Sequence, residues 1–173
     1  MCPAHRAMTE SKANIALIGF MGAGKTTTGR ILAHTLNMGF FDFDLEIEKA
    51  TGIGLPEIFA TRGESGFRQL EHEICKNIPF MQNYVIATGG GIVLNPENMA
   101  LLRQSCTIIY LPASPETIHA RLAENNSRPL LAEGDKLAKI RDLLSQREHL
   151  YRQYADFILH LDDSHNACQH TRW

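Results

Sequence analysis

The sequence predicts an α/β fold in which a parallel β-sheet is flanked by helices on both faces. Five short apolar segments alternate with longer segments that have helical spacing. A glycine-rich loop joins the first apolar segment to the first helical one. The chain has 173 residues, enough to bury a substantial core, and we expect one domain over residues 1–173.

The first half of the chain is expected to contain two strands and two helical segments. The strands are "NIALIG" (residues 14–19) and "GFFDFD" (residues 39–44). A helix over residues 24–36 should separate them, with helical spacing through Ile31, Leu32, Thr35 and Leu36. Residues 45–78 should be largely helical, with interruptions at "TGIGLP" and "TRGESG", because glycine and proline break helices.

The second half is expected to supply three more strands. They are "YVIATGGG" (residues 84–91), "CTIIYLP" (residues 106–112) and "DFILHL" (residues 156–161). Ser114 is a predicted helix N-cap, with Pro115 at the first helical position. Residues 125–135 are polar and irregular, which indicates a loop, and residues 135–154 should form the last helix.

Composition and charge disfavour several classes of protein. The formal net charge of −2 gives no global basic field, so nucleic acid is not an expected partner. No apolar run has the length of a membrane span, and the start has no apolar core of a secretory signal. The four cysteines are far apart and the eight histidines are scattered, which favours free thiols over a zinc site. We therefore expect a cytoplasmic protein without a membrane partner.

A phosphate-binding loop is the strongest functional signal in the sequence. Gly19, Gly24, Lys25 and Thr26 satisfy the pattern G-x-x-x-x-G-K-[ST], between a predicted strand and a predicted helix. The glycines let backbone N–H groups surround phosphate oxygens, and the helix N-terminus adds its positive end. The Lys25 ammonium can reach the β- and γ-phosphates, and the Thr26 hydroxyl can bind Mg²⁺. The loop predicts a site for a nucleoside triphosphate.

Polar residues and glycines at the ends of the next two strands extend this site. Asp42 and Asp44 are two residues apart, so an extended backbone would direct both to one side, at the ligand edge of the sheet. Each alone could be a solvated turn carboxylate; together they suit a magnesium-side acid and an acceptor for a substrate hydroxyl. "TGGG" (residues 88–91) could be a plain tight turn, but at this edge it favours backbone N–H groups exposed to a small ligand.

Three arginines are candidates for anion binding. Arg147 lies within an apolar helical stripe, so its charge needs an anionic partner, either a structural carboxylate or a ligand. Arg68 has Glu64 four residues before it and Glu71 three after it, which could hold the guanidinium or simply form a solvated helix face. Arg128 lies in the irregular segment, either as a surface residue or as a cation supplied to the transferring phosphate.

Taken together, these motifs resemble the shikimate kinase family over roughly residues 14–162. The matching segments, in the family's order and spacing, are "GFMGAGKTTTGR", "DFD" followed by "LEIE", "GESGFRQLE", "TGGG", "RPLL" and "QREHLY". The resemblance implies a P-loop kinase fold like that of nucleoside monophosphate kinases, with a five-stranded parallel sheet. It also implies a substrate-binding helical region at about residues 42–70 and a lid at about residues 123–137.

The resemblance further implies a reaction and a role for each site residue. The expected reaction is transfer of the γ-phosphoryl group of ATP to the 3-hydroxyl of shikimate, in aromatic amino-acid biosynthesis. Lys25, Asp44 and Arg128 are the implied catalytic residues, and Thr26 is the implied Mg²⁺ ligand with Asp42 acting through water. The implied contacts to ATP are Gly22, Ala23, Gly24, Lys25, Thr26, Thr27, Arg121 and Arg128. The implied contacts to shikimate are Asp44, Arg68, Gly90 and Arg147.

Two segments depart from the family pattern, and alternative functions remain. The tail "DDSHNACQHTRW" has no helical pattern, so the adenine-contacting loop expected near residues 162–166 is undefined, and the first dozen residues have no family counterpart. A gluconate kinase is the alternative among enzymes, although that function does not require two arginines aimed at one carboxylate. A nucleotide-dependent switch would normally carry an N-K-x-D motif, which the sequence lacks. An inactive module should have lost Lys25, Asp44 or Arg147, and all three are present. We expect a monomer.

Overall fold

The computed structural model describes residues 12–123 and 135–161. The strands are β1 (Asn14–Ile18), β2 (Gly39–Asp42), β3 (Tyr84–Ala87), β4 (Cys106–Tyr110) and β5 (Phe157–Ile158). The helices are α1 (Lys25–Leu36), α2 (Phe43–Thr51), α3 (Leu55–Cys75), α4 (Pro96–Ser105), α5 (Pro115–Ala123) and α6 (Lys136–Tyr154). Two short 3₁₀ helices cover Ile78–Phe80 and Ile92–Leu94.

The five strands form one parallel sheet in the order β2-β3-β1-β4-β5. Leu17 in the central strand β1 pairs with Ala87 on one side and with Ile109 on the other. Because all strands run in one direction, their carboxyl ends meet at one edge, where open α/β sheets bind ligands. The predicted five-stranded parallel sheet is therefore confirmed.

Alternate residues of the strands pack into two cores, one on each face of the sheet. Ala16 and Ile18 belong to the larger core, which also includes Tyr110 and Tyr151, whereas Leu17 belongs to the smaller one. The central strand is buried on both faces, which explains its nearly continuous apolar sequence. A third cluster, of Ile47, Leu55, Ile58 and Phe67, joins α2 to α3.

Several predicted boundaries are confirmed. Gly52 caps the end of α2 in the left-handed region, and Gly63 interrupts α3 with φ 65° and ψ −176°. Both glycines lie in segments where the sequence predicted a break. The backbone N–H of Thr117 donates to the Ser114 hydroxyl at 3.1 Å, as expected for the N-cap of α5.

Other predictions need correction. Strand β2 ends at Asp42 and α2 begins at Phe43, so "GFFDFD" is only partly a strand. Helix α4 was missed, although Asn95 before Pro96 is a recognisable N-cap signal. Strand β3 ends before the glycines and β5 contains two residues. In α1 the buried positions are Lys25, Gly29 and Ala33, whereas Ile31 and Leu36 are exposed, so the apolar spacing identified the helix but not its buried face.

Cys75 and Cys106 are free and buried, whereas Cys2 and Cys168 lie outside the described residues. Burial raises the pKa of the Cys75 thiol to about 12 and that of Cys106 to about 11. Both side chains are therefore neutral parts of the core at ordinary pH. In the described ranges, no helix is both long enough and apolar enough to span a membrane.

Candidate active site

The phosphate loop (residues 19–26) begins directly after β1, at the carboxyl edge of the sheet. Gly19, Gly22 and Gly24 have φ values of 147°, 77° and 98°, a region that side chains other than glycine rarely adopt. A Cβ on Gly19 would also lie 2.6 Å from the carbonyl oxygen of Leu111. Gly24 precedes α1 without a side-chain cap, and the first turn of α1 has no acidic residue. The N-terminus of α1 is thus arranged to accept an anion.

Lys25 is buried and folds back over the loop that precedes it. Its ammonium donates to the carbonyl oxygens of Gly19 and Phe20, each at 2.8 Å. These bonds place the positive charge inside the curve of the loop, where the motif predicts the β- and γ-phosphates. A phosphate group entering the loop would exchange with these carbonyl contacts.

Asp42 links the phosphate loop to α2. Its Oδ2 accepts a 2.7 Å hydrogen bond from the Thr26 hydroxyl, and its Oδ1 caps α2 by accepting from the backbone N–H groups of Asp44 and Leu45. Since Thr26 uses its proton on Asp42, the lone pairs of its hydroxyl oxygen remain for a cation. A hydroxyl, a carboxylate and phosphate oxygens are the hard donors that suit Mg²⁺. The residues present therefore fit the expected metal, for which Thr26 is the predicted direct ligand.

The predicted geometry of Asp42 and Asp44 is wrong, although both lie at the site. Asp42 is the N-cap of α2 and Asp44 lies in the first helical turn, so the two carboxylates do not alternate along a strand. The capping bonds of Asp42 stop the strand, because they satisfy the first free N–H groups of the helix. Asp44 is half-buried and faces the same cavity as Lys25 and Thr26.

Arg68 is held by two carboxylates of its own helix, one of the two alternatives that the sequence left open. Its guanidinium donates to Glu71 at 2.8 Å and to Glu64 at 3.2 Å. Burial acts to lower the pKa of Arg68, but the two glutamates outweigh burial and the pKa is raised. The Arg68 side chain is 22% exposed, so one side of a fixed guanidinium remains accessible.

Glu71 was not singled out as a site residue, and it is fully buried. Burial raises the pKa of Glu71, while Arg68 and Arg147 act in the opposite direction and Asp44 adds to the increase. Its Oε1 has no hydrogen-bond partner among the described residues. Glu71 therefore pairs with Arg68 and lies within electrostatic range of Arg147 and Asp44, two other residues of the predicted acceptor site. Its spacing from Arg68 was visible in the sequence, but its burial was not.

Arg147 is buried in α6, with a relative exposure of 5%, as its place in the apolar stripe predicted. Its guanidinium carbon lies 5.8 Å from the centroid of the Phe20 ring, a cation–π arrangement next to the phosphate loop. No carboxylate of the described residues lies within 4.0 Å of it, and its Nη1 has no hydrogen-bond partner there. A structural ion pair, the alternative explanation for this residue, is not found in the described part of the chain.

The glycine turn (residues 88–91) is a close-packed junction. A Cβ on Gly91 would overlap the guanidinium of Arg68, and a Cβ on Gly89 would overlap Oε1 of Glu71. A Cβ on Gly90 would lie 2.8 Å from the backbone nitrogen of Met21 in the phosphate loop. None of the three glycines has a positive φ. Their absent side chains therefore allow three elements to approach one turn, a reason that the sequence did not reveal.

A cavity of about 390 Å³ brings most of the predicted residues together. The predicted residues that line it are Gly22, Gly24, Lys25, Thr26, Thr27, Asp42, Asp44, Gly90 and Arg121. Ala23 is buried beneath the loop. Arg68 and Arg147 do not line this cavity; Arg68 packs against Gly91 from α3, and Arg147 packs on Phe20 from α6. Arg128, most of the predicted lid and residues 162–166 lie outside the described residues.

Arg121 lies between this cavity and a second one of about 200 Å³ beside Pro112, Ser114 and Leu161. Its Nη1 donates to the carbonyl oxygen of Gly22 at 3.2 Å. This contact places Arg121 against the phosphate loop. Its implied contact with ATP stays a prediction.

Tyr151 is the second residue near the site that the sequence analysis did not identify as functional. It is fully buried, and its hydroxyl donates a short hydrogen bond to the carbonyl oxygen of Gly90. Its position four residues after Arg147, on the same face of α6, was the available signal.

Comparisons with known proteins agree on one family. A family model described as shikimate kinase matches residues 21–171. A shikimate kinase from Neisseria meningitidis serogroup C is 49% identical over 152 residues, which cover 88% of this chain and 89% of that protein. A shikimate kinase from Nitrosomonas europaea is 47% identical over 146 residues, covering 84% and 69% of the two chains.

Solved structures give the same result. A shikimate kinase from Acinetobacter baumannii in complex with shikimate has a TM-score of 0.85 at 39% identity, covering 90% of this chain and 87% of that one. A shikimate kinase from Aquifex aeolicus has a TM-score of 0.73 at 36% identity, covering 85% and 86%.

Proposed function

The chain belongs to the shikimate kinase family, and we propose that it transfers the γ-phosphoryl group of ATP to the 3-hydroxyl of shikimate. The reaction would serve aromatic amino-acid biosynthesis. The observation that carries the acceptor assignment is the buried Arg147 guanidinium, which packs on Phe20 of the phosphate loop and whose Nη1 lacks a partner in the described chain. A small carboxylic acid supplies the missing anion.

The phosphate loop and Lys25 bind and orient the triphosphate. Backbone N–H groups at the N-terminus of α1 hold the phosphate oxygens, and the Lys25 charge stabilises the negative charge that develops on the transferring group. Thr26 would hold Mg²⁺ directly and Asp42 would hold it through water; when bound, the ion would neutralise phosphate charge. Arg128 stays a predicted cation for the transferring phosphoryl group.

Asp44 orients the attacking hydroxyl. It lies in the first turn of the helix that Asp42 caps, and it lines the cavity of about 390 Å³ together with the phosphate loop. A carboxylate that accepts a hydrogen bond from the acceptor hydroxyl fixes its approach to the γ-phosphate, and such positioning supplies much of the rate in phosphoryl transfer.

Arg68 and Arg147 bind the carboxylate at the far side of the glycine turn. Glu71 and Glu64 fix the Arg68 guanidinium, and packing on Phe20 fixes that of Arg147. Each charge-assisted hydrogen bond is worth roughly 1.5–3 kcal/mol. Together with a backbone contact at Gly90, the two arginines would select an acid whose reacting hydroxyl faces Asp44. The helical region of residues 42–70, the lid, the monomeric state and the cytoplasmic location stay predictions.

The direct test is an ADP-release assay with shikimate, with gluconate and without acceptor. We expect turnover with shikimate only, and activity lost in excess chelator. Equal turnover with gluconate would overturn the acceptor assignment, and full activity in chelator would overturn the role of Mg²⁺.

A second test concerns the acid site itself. Arg147→Met keeps much of the apolar stem and removes the charge, and it should weaken shikimate binding about ten- to a hundredfold. The affinity for a nonhydrolysable ATP analogue should change little. The alcohol analogue of shikimate, which lacks the carboxylate, should bind both proteins equally. If the folded variant binds shikimate like the parent, Arg147 is a structural residue.

A further inference from the structure

The glycine turn needs external support to hold one conformation. Glycine has more backbone freedom than any other residue, and this turn contains three in succession. The carbonyl oxygen of Gly89 accepts from the N–H of Ile92 at 3.2 Å, and that of Gly91 accepts from Leu94 at 3.0 Å. These two bonds come from the short 3₁₀ helix that follows. They leave the middle carbonyl, of Gly90, to a different part of the molecule.

That partner is Tyr151 in α6. Its hydroxyl donates a short hydrogen bond to the carbonyl oxygen of Gly90, and its ring stacks on Tyr110 with centroids 5.2 Å apart at an angle of 16°. Tyr110 lies at the end of β4, so the Tyr151 side chain is held between the sheet and the glycine turn. Burial raises the pKa of Tyr151, and the nearby Arg147 charge only partly opposes this, so the hydroxyl keeps its proton at ordinary pH.

Tyr151 and Arg147 are also one helical turn apart on the same face of α6, and both are buried. One helix therefore presents a cation to the acceptor site and, through the phenol, holds the backbone that forms another side of it. The peptide plane between Gly90 and Gly91 is fixed by this bond, together with the position of Gly91 against Arg68.

We propose that Tyr151 is a positioning residue for the acceptor: by holding the Gly90 carbonyl, it sets the glycine turn relative to Arg147 and Arg68. Tyr151 acts on the binding of the acid through the turn and makes no contact with the acid itself. The inference rests on the proposed function, in which the turn and the two arginines bind shikimate.

The test compares two phenylalanine variants that each remove one hydroxyl from the stacked pair. Tyr151→Phe removes the donor to Gly90. Tyr110→Phe is the matched control, because the Tyr110 hydroxyl makes no hydrogen bond within the described part of the chain. Shikimate and a nonhydrolysable ATP analogue are titrated separately into each protein, at a temperature well below the melting temperature of each variant. KM and kcat are then measured for both substrates.

For Tyr151→Phe we expect the Kd and the KM for shikimate to rise about three- to tenfold, the range for losing one neutral hydrogen bond. The kcat and the affinity for the ATP analogue should stay close to the parent values, because the lost interaction acts on acceptor binding. Tyr110→Phe should leave all four values unchanged. Backbone amide NMR signals of residues 89–91 should shift in Tyr151→Phe and not in Tyr110→Phe.

A merely structural Tyr151 gives a different result. A lower melting temperature with an unchanged Kd for shikimate would overturn the proposal, and so would equal losses in the two variants. Arg147→Met separates this failure from that of the proposed function. If Arg147→Met loses shikimate affinity while Tyr151→Phe keeps it, the inference about Tyr151 fails and the acid site stands. If both variants keep it, the acid site itself is wrong.

Discussion

The phosphate loop and the arginine side of the glycine turn differ in where their charged groups find partners. In the phosphate loop, Lys25 bonds to two carbonyl oxygens of its own loop, and Thr26 bonds to Asp42. Around the glycine turn, Nη1 of Arg147 and Oε1 of Glu71 are buried without partners in the described chain.

The difference separates two ways of building a binding site. In the proposed function, a triphosphate would replace contacts that the loop already makes, whereas an acid at the turn would give Nη1 of Arg147 the partner that it lacks in the described chain. A buried charged group without a partner is costly in free energy. The ligand would therefore supply the partner at the glycine turn, whereas the protein itself supplies the partners in the phosphate loop. Substitutions in the phosphate loop and around the glycine turn should therefore change different measured quantities.

The largest effect is expected for Lys25→Met. Without the Lys25 ammonium to stabilise the transferring phosphoryl group, kcat should fall about 100- to 1000-fold, the range for removing one preorganised donor. The Kd for shikimate should remain close to that of the parent. Lys49→Met is the control, because Lys49 is exposed and, among the described residues, pairs with Glu46 on its own helix. A large loss of shikimate affinity in Lys25→Met would show that the phosphate loop and the arginine side of the glycine turn do not act independently.

Asp42→Asn sharpens the metal assignment at the phosphate end. Asparagine is an equally good N-cap, so α2 should keep its cap while the charge is lost. The Mg²⁺ concentration that gives half-maximal activity should rise about ten- to a hundredfold, as for other partners that orient a metal ligand. A titration of activity with Mg²⁺ measures this shift. An unchanged midpoint would mean that Asp42 serves only as a cap.

Gly91→Ala tests the close approach at the turn. The new Cβ overlaps the Arg68 guanidinium and should displace it, and shikimate affinity should fall about tenfold as one charge-assisted bond is lost. Gly54→Ala is the matched control, because the Cβ of its alanine would have ordinary contacts of 3.6 and 3.7 Å. Isothermal titration with shikimate compares the two. Equal affinities would show that Arg68 does not bind the acid.

Glu71→Gln should produce the smallest change, a difference in the pH dependence of stability. Burial raises the folded-state pKa of Glu71 above its usual 4.5, so the folded state binds more protons than the unfolded state above that pH. The stability of the parent relative to Glu71→Gln should therefore fall as pH rises from 4.5 through the raised pKa. Urea unfolding of both proteins at a series of pH values measures it. A constant difference would show that Glu71 does not titrate differently on folding.

The sequence predicted the phosphate loop more completely than it predicted the surroundings of Arg147. The phosphate loop was predictable because Gly19, Gly24, Lys25 and Thr26 act within one strand–loop–helix unit. Arg147 was predictable as a buried cation because the neighbouring apolar residues of α6 lie at helical spacing. Whether its partner was a protein carboxylate or a ligand depended on which elements pack around it, and local spacing does not contain that information.

The errors have physical causes of the same kind. Strand β2 was predicted to extend to Asp44, but the capping bonds of Asp42 end the strand at Asp42. That the three glycines donate backbone N–H groups to a ligand stays a prediction; the sequence did not show that their missing side chains admit Glu71, Arg68 and the phosphate loop. These contacts join residues about 20 to 70 positions apart in the chain, beyond what local patterns describe.

The crowding of the glycine turn also bears on how such an enzyme could diverge. Each of its three glycines is closed to a side chain by a different neighbour, so no single-step mutation can enlarge or reshape the turn without disturbing another element. Evolution toward a different acceptor acid would have to begin in the surrounding helices, where one side chain can change at a time. The turn would then be the slowest part of the site to vary, and a library designed to alter acceptor preference should leave residues 89–91 fixed.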